Sequence, residues 1–594
     1  MRTHTLHPRQ LLSLIAFSAA LLVHAQEITV AWAKQWSKPG VQQSAYDIAV
    51  DKAGNVYTTG LFNTTMDMDP GAGVANLTSY GSWDAYVVKL DVLGRFVWAR
   101  QFGGTGDDRG NSVGVDLAGN VFCSGIISAT ADMDPGPGTF NLTNDGGPGN
   151  PEVFVVKLDA NGNFLWAGKT GGACNILFSK PDMHTFVGGY TFHTGRFSGT
   201  RDMDPGPGTL MMTSQGVYDA YISLWKPDGS LVWAKQLRGS PGGGVTGTGI
   251  CMDDHYRIYV TGEFSRTVDF DPGPDVANET PPGNDRETFV LKLLTDGSFQ
   301  WVRRTTGGGC FGSAIAVDRS RNAVYYAGRY TLPTDFDPAP TSYNTLDPFA
   351  TGNTAFVSAL DLDGNFKWAK RAGGTGATAS ITEMDLDGSA IYVIGYMTGT
   401  IRFGPDGDSP NLVSAGSEDV FVASIGARTN QWAHAWRIGS ANMDLGRCIS
   451  AAMRYTLHIG GDFSNSVDFD PDADTYPLTA TYMGSFAAKW ATRCYTVSDL
   501  RVSRGFVMNS RMNLAWTPVN CVVDHYRLSY WKDNETTPTL LDLPANVVDR
   551  YSLVGELGTH SYFFHIIPIY PGAVVGDNSN LASISYTYPL VVGP

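Results

Sequence analysis

At 594 residues with 43% apolar side chains, the chain has enough apolar surface for a large folded core, and this composition excludes a disordered protein. The net charge of −15, with no basic tract, excludes nucleic acid as a partner, because phosphate binding needs clustered Lys and Arg. The 69 glycines, 12% aromatics and lack of long amphipathic helical periods indicate an all-β chain rich in turns.

The chain begins with Arg2 and Arg9 ahead of an apolar run over residues 11–23. Val23-His24-Ala25 then resembles a small-residue cleavage site before Gln26. Residues 1–25 are read as an export signal, so the mature protein is expected to be secreted or held at the cell surface. No later run is long and apolar enough to predict a transmembrane segment. Seven cysteines leave at least one unpaired within a monomer, which is the expected state.

From residue 27 the sequence repeats. Taken as landmarks, a strand-end glycine recurs at Gly60, Gly125, Gly189, Gly262, Gly328, Gly395 and Gly461. An Asp-x-Asp pair recurs at Asp67 and Asp69, Asp132 and Asp134, Asp202 and Asp204, Asp269 and Asp271, Asp335 and Asp337, and Asp468 and Asp470, with Arg402 in the sixth slot. A strand tryptophan recurs at Trp32, Trp98, Trp166, Trp233, Trp301 and Trp368, with His434 in the seventh slot. Successive tryptophans lie 66, 68, 67, 68 and 67 residues apart, a period that marks structural repeats.

Each unit reads as four strands. Hairpin signals such as Asp51-Lys52-Ala53-Gly54 and Asp159-Ala160-Asn161-Gly162 join the first strand to the second and the third to the fourth. In the fourth, Phe96, Trp98 and Arg100 alternate with Val97 and Ala99, leaving one aromatic face to pack on the next sheet. Radially repeated four-stranded sheets make a β-propeller. The seventh unit lacks its own tryptophan strand, so residues 28–34 are expected to supply it and close a seven-bladed ring over 27–493.

Val268-Asp269-Phe270-Asp271-Pro272-Gly273, followed by a Lys-Leu strand and a Gly-x-Phe-x-Trp strand, resembles the bacterial SBBP, or seven-bladed β-propeller, repeat family. The resemblance implies exported or surface proteins and carries no catalytic residues. The Asp-x-x-Gly-x-x-x-Trp pattern of Asp159, Gly162 and Trp166 is also similar to the tryptophan-docking motif of quinoprotein propellers and to the aspartate box of sialidases. Both are structural devices in those families.

After Cys494 the repeats stop. Strands are expected over 500–503, 512–516, 526–531, 551–554, 561–569 and 583–587. Trp516, Tyr526 and the corner-like Tyr562 make residues 494–594 resemble a fibronectin type III β-sandwich. Cys494 and Cys521 flank its first hairpin and are candidates to pair.

Two readings of the paired aspartates stand side by side. Carboxylates two apart on extended chain would share a hard cation such as calcium, or each would cap its turn by accepting backbone N–H bonds. No H-E-x-x-H or Cys-x-x-Cys occurs, and Cys123, Cys174, Cys251, Cys310 and Cys448 are read as small buried thiols. The favoured function is a non-enzymatic exported binding or scaffold protein presenting a propeller face to a glycan or protein partner. The alternative is a carbohydrate-active hydrolase or lyase, which requires an asymmetric pocket. Residues 146–152 and 193–200 are read as the blade-specific insertions where such asymmetry would arise.

Overall fold

The computed structural model describes residues 28–38, 40–147, 150–171, 181–186, 188–349, 352–404, 411–451, 456–471 and 474–492, and beyond these seven strands between 498 and 588. The architecture is all-β, and the repeats form a seven-bladed propeller. Blade 1 runs Gln43–Val50, Val56–Phe62, Asp84–Leu90, Phe96–Gly104 from the axis outwards, each strand antiparallel to the last. The innermost strands of blades 2 to 7 are Arg109–Val115, Asp182–Thr185, Gly244–Met252, Cys310–Asp318, Thr378–Leu386 and Leu445–Ser450. Ile28–Trp36 pairs antiparallel with Pro477–Thr492, from Ile28 opposite Thr492 to Trp36 opposite Ser485.

The middle strands Val56–Phe62, Asp84–Leu90, Val121–Ile127 and Glu152–Leu158 are buried along their whole length. Neighbouring blades cover both faces, so burial does not alternate along these strands, and polar residues such as Thr58, Asp84, Lys89 and Glu152 are buried with the apolar ones.

One landmark is corrected. The strand-end glycine of blade 3 is Gly195, not Gly189, which sits at positive φ in the turn before Thr191–Phe197. Gly195 pairs opposite Tyr221, just as Gly60 pairs with Tyr86, Gly262 with Phe289 and Gly461 with Phe486. It also restores a constant separation of seven residues from this glycine to the acidic loop, as in Gly60 to Asp67 and Gly195 to Asp202. Residues 193–200 are therefore regular strand and turn, not an insertion. The glycine is required because a Cβ on Gly60 or Gly262 would lie 1.8 Å from the carbonyl oxygen of Ser44 or Thr246 on the innermost strand.

The tryptophans join the blades. Trp32, Trp98, Trp166, Trp233 and Trp301 each donate Nε1–H to a hairpin carbonyl of the next blade, those of Val92, Ala160, Pro227, Thr295 and Leu362, at 2.9–3.2 Å. The hairpin glycine lies under the ring: a Cβ on Gly94 or Gly162 would come within 2.7 or 3.0 Å of the Trp32 or Trp98 indole. In the seventh slot, His434 stacks on Trp436 with centroids 5.4 Å apart, and Trp436 meets Trp490 edge-on.

The acidic loops add a second coupling that the sequence did not disclose. Each forms a small hairpin, and three of these hairpins pair with the outermost strand of the preceding blade. Ala131 opposes Gly104, Asp269 opposes Arg238 and Phe403 opposes Ala372.

The C-terminal strands form two sheets. Ser498–Arg504, Arg511–Thr517 and Arg550–Val554 make one, and Thr539–Pro544, His525–Lys532, Tyr562–Ile569 and Ile584–Tyr588 the other, in those orders. Thr539–Pro544 has no counterpart among the strands expected from the sequence. Cys494, Cys521 and Cys174 lie outside the described residues, as do residues 1–25.

Candidate functional site

The paired aspartates are occupied by their own loops. Asp67 Oδ1 accepts from Asp69 N at 3.1 Å and Ala75 N at 2.8 Å, and Asp69 Oδ1 accepts from Gly71 N at 2.7 Å. In blade 2, Asp132 Oδ1 accepts from Asp134 N and Phe140 N, and Asp134 Oδ1 from Gly136 N. In blade 3, Asp202 Oδ1 accepts from Asp204 N and Leu210 N, and Asp204 Oδ1 from Gly206 N. Asp269 and Asp271 repeat the pattern in blade 4. In blade 5, Asp335 Oδ1 accepts from Asp337 N and Asn344 N, and Asp337 Oδ1 from Ala339 N, where the other loops have glycine. Asp468 accepts from Asp470 N and Tyr476 N. The residue between the two aspartates, Met68, Met133, Met203, Phe270, Phe336 or Phe469, is fully buried. The pair thus folds the loop so that its middle side chain wedges into the core.

Of the two readings, this geometry is the arrangement expected of turn capping, in which each aspartate accepts backbone N–H bonds of its own loop. It holds for Asp67, Asp69, Asp132, Asp134, Asp202, Asp204, Asp269, Asp271, Asp335, Asp337 and Asp468, while Asp470 accepts from Thr29 Oγ1 of the first strand at 3.3 Å. Each first aspartate of a pair spends one carboxylate oxygen on two amides of its own loop, and the loops stand on separate blades, so their carboxylates do not converge on a shared point. Among the described residues no group of three or more His, Cys, Asp and Glu is arranged to hold a metal. Cys123, Cys251, Cys310 and Cys448 are buried thiols, and burial pushes Cys123 and Cys310 up to about 12.

The asymmetric feature is in the central channel. A cavity of about 870 Å³ opens among the innermost strands, and a smaller one of about 320 Å³ lies beyond it, with Asp182 and Glu383 lining both. None of the paired aspartates lines either cavity. Two structural rules place the lining side chains of the larger one.

The first rule is a bulge. In six blades the innermost strand slips register by one residue beside the strand-end glycine, between Ala45 and Asp47, Gly110 and Ser112, Gly247 and Gly249, Gly312 and Ala314, Ile381 and Glu383, and Gly446 and Cys448. A bulge re-aims its extra side chain. Of the six extra residues, Tyr46, Thr248, Ser313, Thr382 and Arg447 line the cavity and Asn111 of blade 2 does not. The second rule concerns the residue that follows the strand-end glycine. Blades 1 and 2 place buried Leu61 and Ile126 there, whereas blades 3 to 6 send Arg196, Glu263, Arg329 and Tyr396 into the cavity. The sequence carried this signal at fixed distance from a landmark, but the misplaced third glycine hid Arg196.

Three arginines surround one carboxylate in this cavity. Arg286 Nη1 donates to Glu263 Oε1 at 2.8 Å, and Arg196 and Arg329 are close enough to act on the same carboxylate. Burial nevertheless holds the Glu263 carboxyl above its ordinary value, with the three guanidiniums opposing that rise. Each arginine rests on a ring. Arg196 lies 4.5 Å from the Tyr218 centroid and Arg329 4.6 Å from that of Phe311, which Arg286 also approaches at 5.9 Å. Across the channel, Arg447 is paired with Asp462 at 2.5 Å and lies 4.9 Å from the Tyr46 ring.

The channel wall is tied from blade to blade. Asp47 Oδ2 accepts from Ser112 Oγ and Val113 N, Asp182 Oδ2 from Ile250 N, and Asp385 Oδ2 from Ala451 N, at 2.7–2.9 Å. Thr248, Ser313 and Thr382 donate their hydroxyls to the carbonyls of Gly312, Ile381 and Gly446 at 2.7–2.8 Å. These bonds hold the lining side chains in place.

The SBBP family profile, described as a beta-propeller repeat, matches residues 31–61 and 97–126. The chain is a seven-bladed propeller repeat protein. An uncharacterized WD repeat-containing protein of Acanthamoeba polyphaga mimivirus is 21% identical over 502 residues, covering 72% of this chain and 35% of that protein. The regulatory protein FlaEY of Caulobacter vibrioides is 25% identical over 155 residues, covering 25% of this chain and 15% of that one. The matches thus span about a third or less of these relatives. Among solved structures, a fibronectin type III domain of human collagen XX is 19% identical with a TM-score of 0.13, covering 16% of this chain and 90% of that one. No helix among the described residues is long and apolar enough to cross a membrane.

Proposed function

We propose that this protein is an exported, non-enzymatic binding protein whose propeller presents the mouth of its central channel to a glycan or protein partner. The observation that carries this reading is the cavity of about 870 Å³, a volume typical of ligand sites, with a lining that differs from blade to blade. Export rests on the leader-like residues 1–25. Closure of the ring by the first strand is supported by the pairing of Ile28–Trp36 with Pro477–Thr492 and by the bond from Trp32 to Val92 in blade 1. A fibronectin type III-like sandwich over 494–594 is supported by its three- and four-stranded sheet orders.

A panel of soluble and insoluble polysaccharides, scored for both retention of the mature protein and release of products, tests the reading. Retention without release is expected. Product release would replace it with a hydrolase or lyase, and no retention on any member would remove the glycan partner.

A further inference from the structure

The channel cavity imposes two chemical demands on whatever enters it. The first is anionic. Arg196 is 8% exposed, and neither it nor Arg329 donates a hydrogen bond to any described residue, so two guanidiniums face the cavity with their forks unfilled. On the side of blades 3 to 5, Glu263, already bonded to Arg286, and Asp182, which accepts from Ile250 N, stand against three arginines, so the positive charge there exceeds the negative by one. Guanidinium forks match a planar carboxylate in shape as well as charge. Their aromatic supports, Tyr218 and Phe311, hold them against the wall.

The second demand is for donors. Thr248, Ser313 and Thr382 have their hydroxyl protons engaged by the carbonyls of the next blade, so each offers the cavity acceptor lone pairs. A ligand that complements them carries several hydroxyl donors. Tyr46 and Tyr396 add ring surface to the same lining.

We propose that the cavity binds a carboxylated sugar, with Arg196 and Arg329 receiving the carboxylate and the bulge hydroxyls of Thr248, Ser313 and Thr382 accepting from its hydroxyls. This rests on the binding reading above and names the ligand class for that site.

The test is calorimetric titration of the mature full-length protein with D-glucuronate, D-galacturonate and N-acetylneuraminate, against glucose, galactose and inorganic sulfate. At least one carboxylated sugar should bind with one-to-one stoichiometry and at least tenfold tighter than the neutral sugars. Arg329→Met should weaken that binding at least tenfold, Arg329→Lys less, and Ser313→Ala severalfold. Melting curves establish that each variant is folded, and if Arg329→Met is not, Arg329→Lys and Ser313→Ala decide. Equal binding of neutral sugars, no binding of any carboxylated sugar, or affinities unmoved in folded variants would overturn the proposal. So would sulfate binding as tightly as the sugars with no effect of Ser313→Ala, which would make the cavity a simple anion hole. Polysaccharide retention that survives these variants would leave the general binding reading intact while removing this site.

Discussion

Gly162→Ala isolates the energy of one blade-to-blade joint. Gly162 adopts φ +79°, and a Cβ there would lie 2.9 Å from Arg100 Nε and 3.0 Å from the Trp98 ring. Gly388 makes a control: it has φ +81° in a hairpin of blade 6, and a Cβ would meet nothing within 4 Å. Alanine at Gly388 costs only the left-handed strain, about 1 kcal/mol. Alanine at Gly162 costs that strain and also pushes the indole off its seat. It weakens the bond from Trp98 Nε1 to Ala160 O, worth about 1 kcal/mol, and disturbs the Arg100 guanidinium 5.3 Å above the Trp98 centroid, worth roughly 0.5–1 kcal/mol. The expected loss is about 3 kcal/mol against about 1 kcal/mol for the control. Urea unfolding followed by tryptophan fluorescence measures both, with hydrogen exchange over 159–166 as the local readout. In a Trp98→Ala background the excess should shrink to the part owed to Arg100, because the rest acts on the Trp98 contact. Equal losses at Gly162 and Gly388, or an excess undiminished without Trp98, would refute docking as the joint.

Three further outcomes are expected. Deleting Ile28–Trp36 removes Trp32 and Trp36, each worth roughly 3–5 kcal/mol when buried, and bares the edge of Pro477–Thr492. The product should aggregate or melt far lower, and an unchanged melt with a monomeric gel-filtration peak would contradict ring closure. Asp269→Ala orphans the amides of Asp271 and Ala277 and should cost about 2 kcal/mol, with the melting temperature of the parent protein indifferent to calcium and to chelator; a calcium-dependent rise in the parent that the variant loses would assign a metal role to that acidic loop. Burial pushes Asp108 from 3.8 up to about 7, so the folded protein holds a proton there that the unfolded chain releases. Its contribution to stability is fully present below pH 3.8, falls as pH rises to about 7 and is flat above, by at most about 4 kcal/mol. Asp108→Asn should flatten the decline in urea midpoint between about pH 4.5 and 7.5, and an unaltered slope would assign that decline to other groups.

The fold was legible because its joints repeat. A tryptophan that must reach a hairpin carbonyl in the next blade, and a glycine that must pass an innermost-strand carbonyl, recur at nearly fixed spacing, as Trp98 with Ala160 and Gly60 with Ser44 show. The latch between acidic hairpin and preceding blade was not legible, because a pairing such as Asp269 with Arg238 is made by backbone and leaves no side-chain signature. Nor did spacing alone show which amides the aspartate pairs accept from. That depends on where the N–H groups of residues such as Gly136, Gly206 and Ala339 point, which is a property of the folded loop. The cavity was missed for a related reason. Its lining side chains follow the landmarks without resembling one another, and the bulges that aim Tyr46 and Thr382 inward are a register slip that hydrophobic periodicity does not encode. The apparent insertion at 193–200 came from the wrong glycine, and correcting it turned Arg196 from a loop residue into a channel residue.

This contrast between repeated and unrepeated positions separates structure from function within the ring. A position with the same role in every blade, such as the buried wedge at Met68, Met133, Met203, Phe270, Phe336, Phe403 and Phe469, answers to packing that the blades share. The position after the strand-end glycine faces the axis in blades 3 to 6, where packing makes no such uniform demand, and there the chain places Arg196, Glu263, Arg329 and Tyr396. The Arg196 guanidinium donates no hydrogen bond to a described residue and lines the cavity, so its donors are open to whatever occupies that space. A ring that needed only to stand would carry at Arg196 what blades 1 and 2 carry at Leu61 and Ile126. On the binding reading proposed above, the departure from the repeat at that position is the feature of this propeller that a ligand would meet.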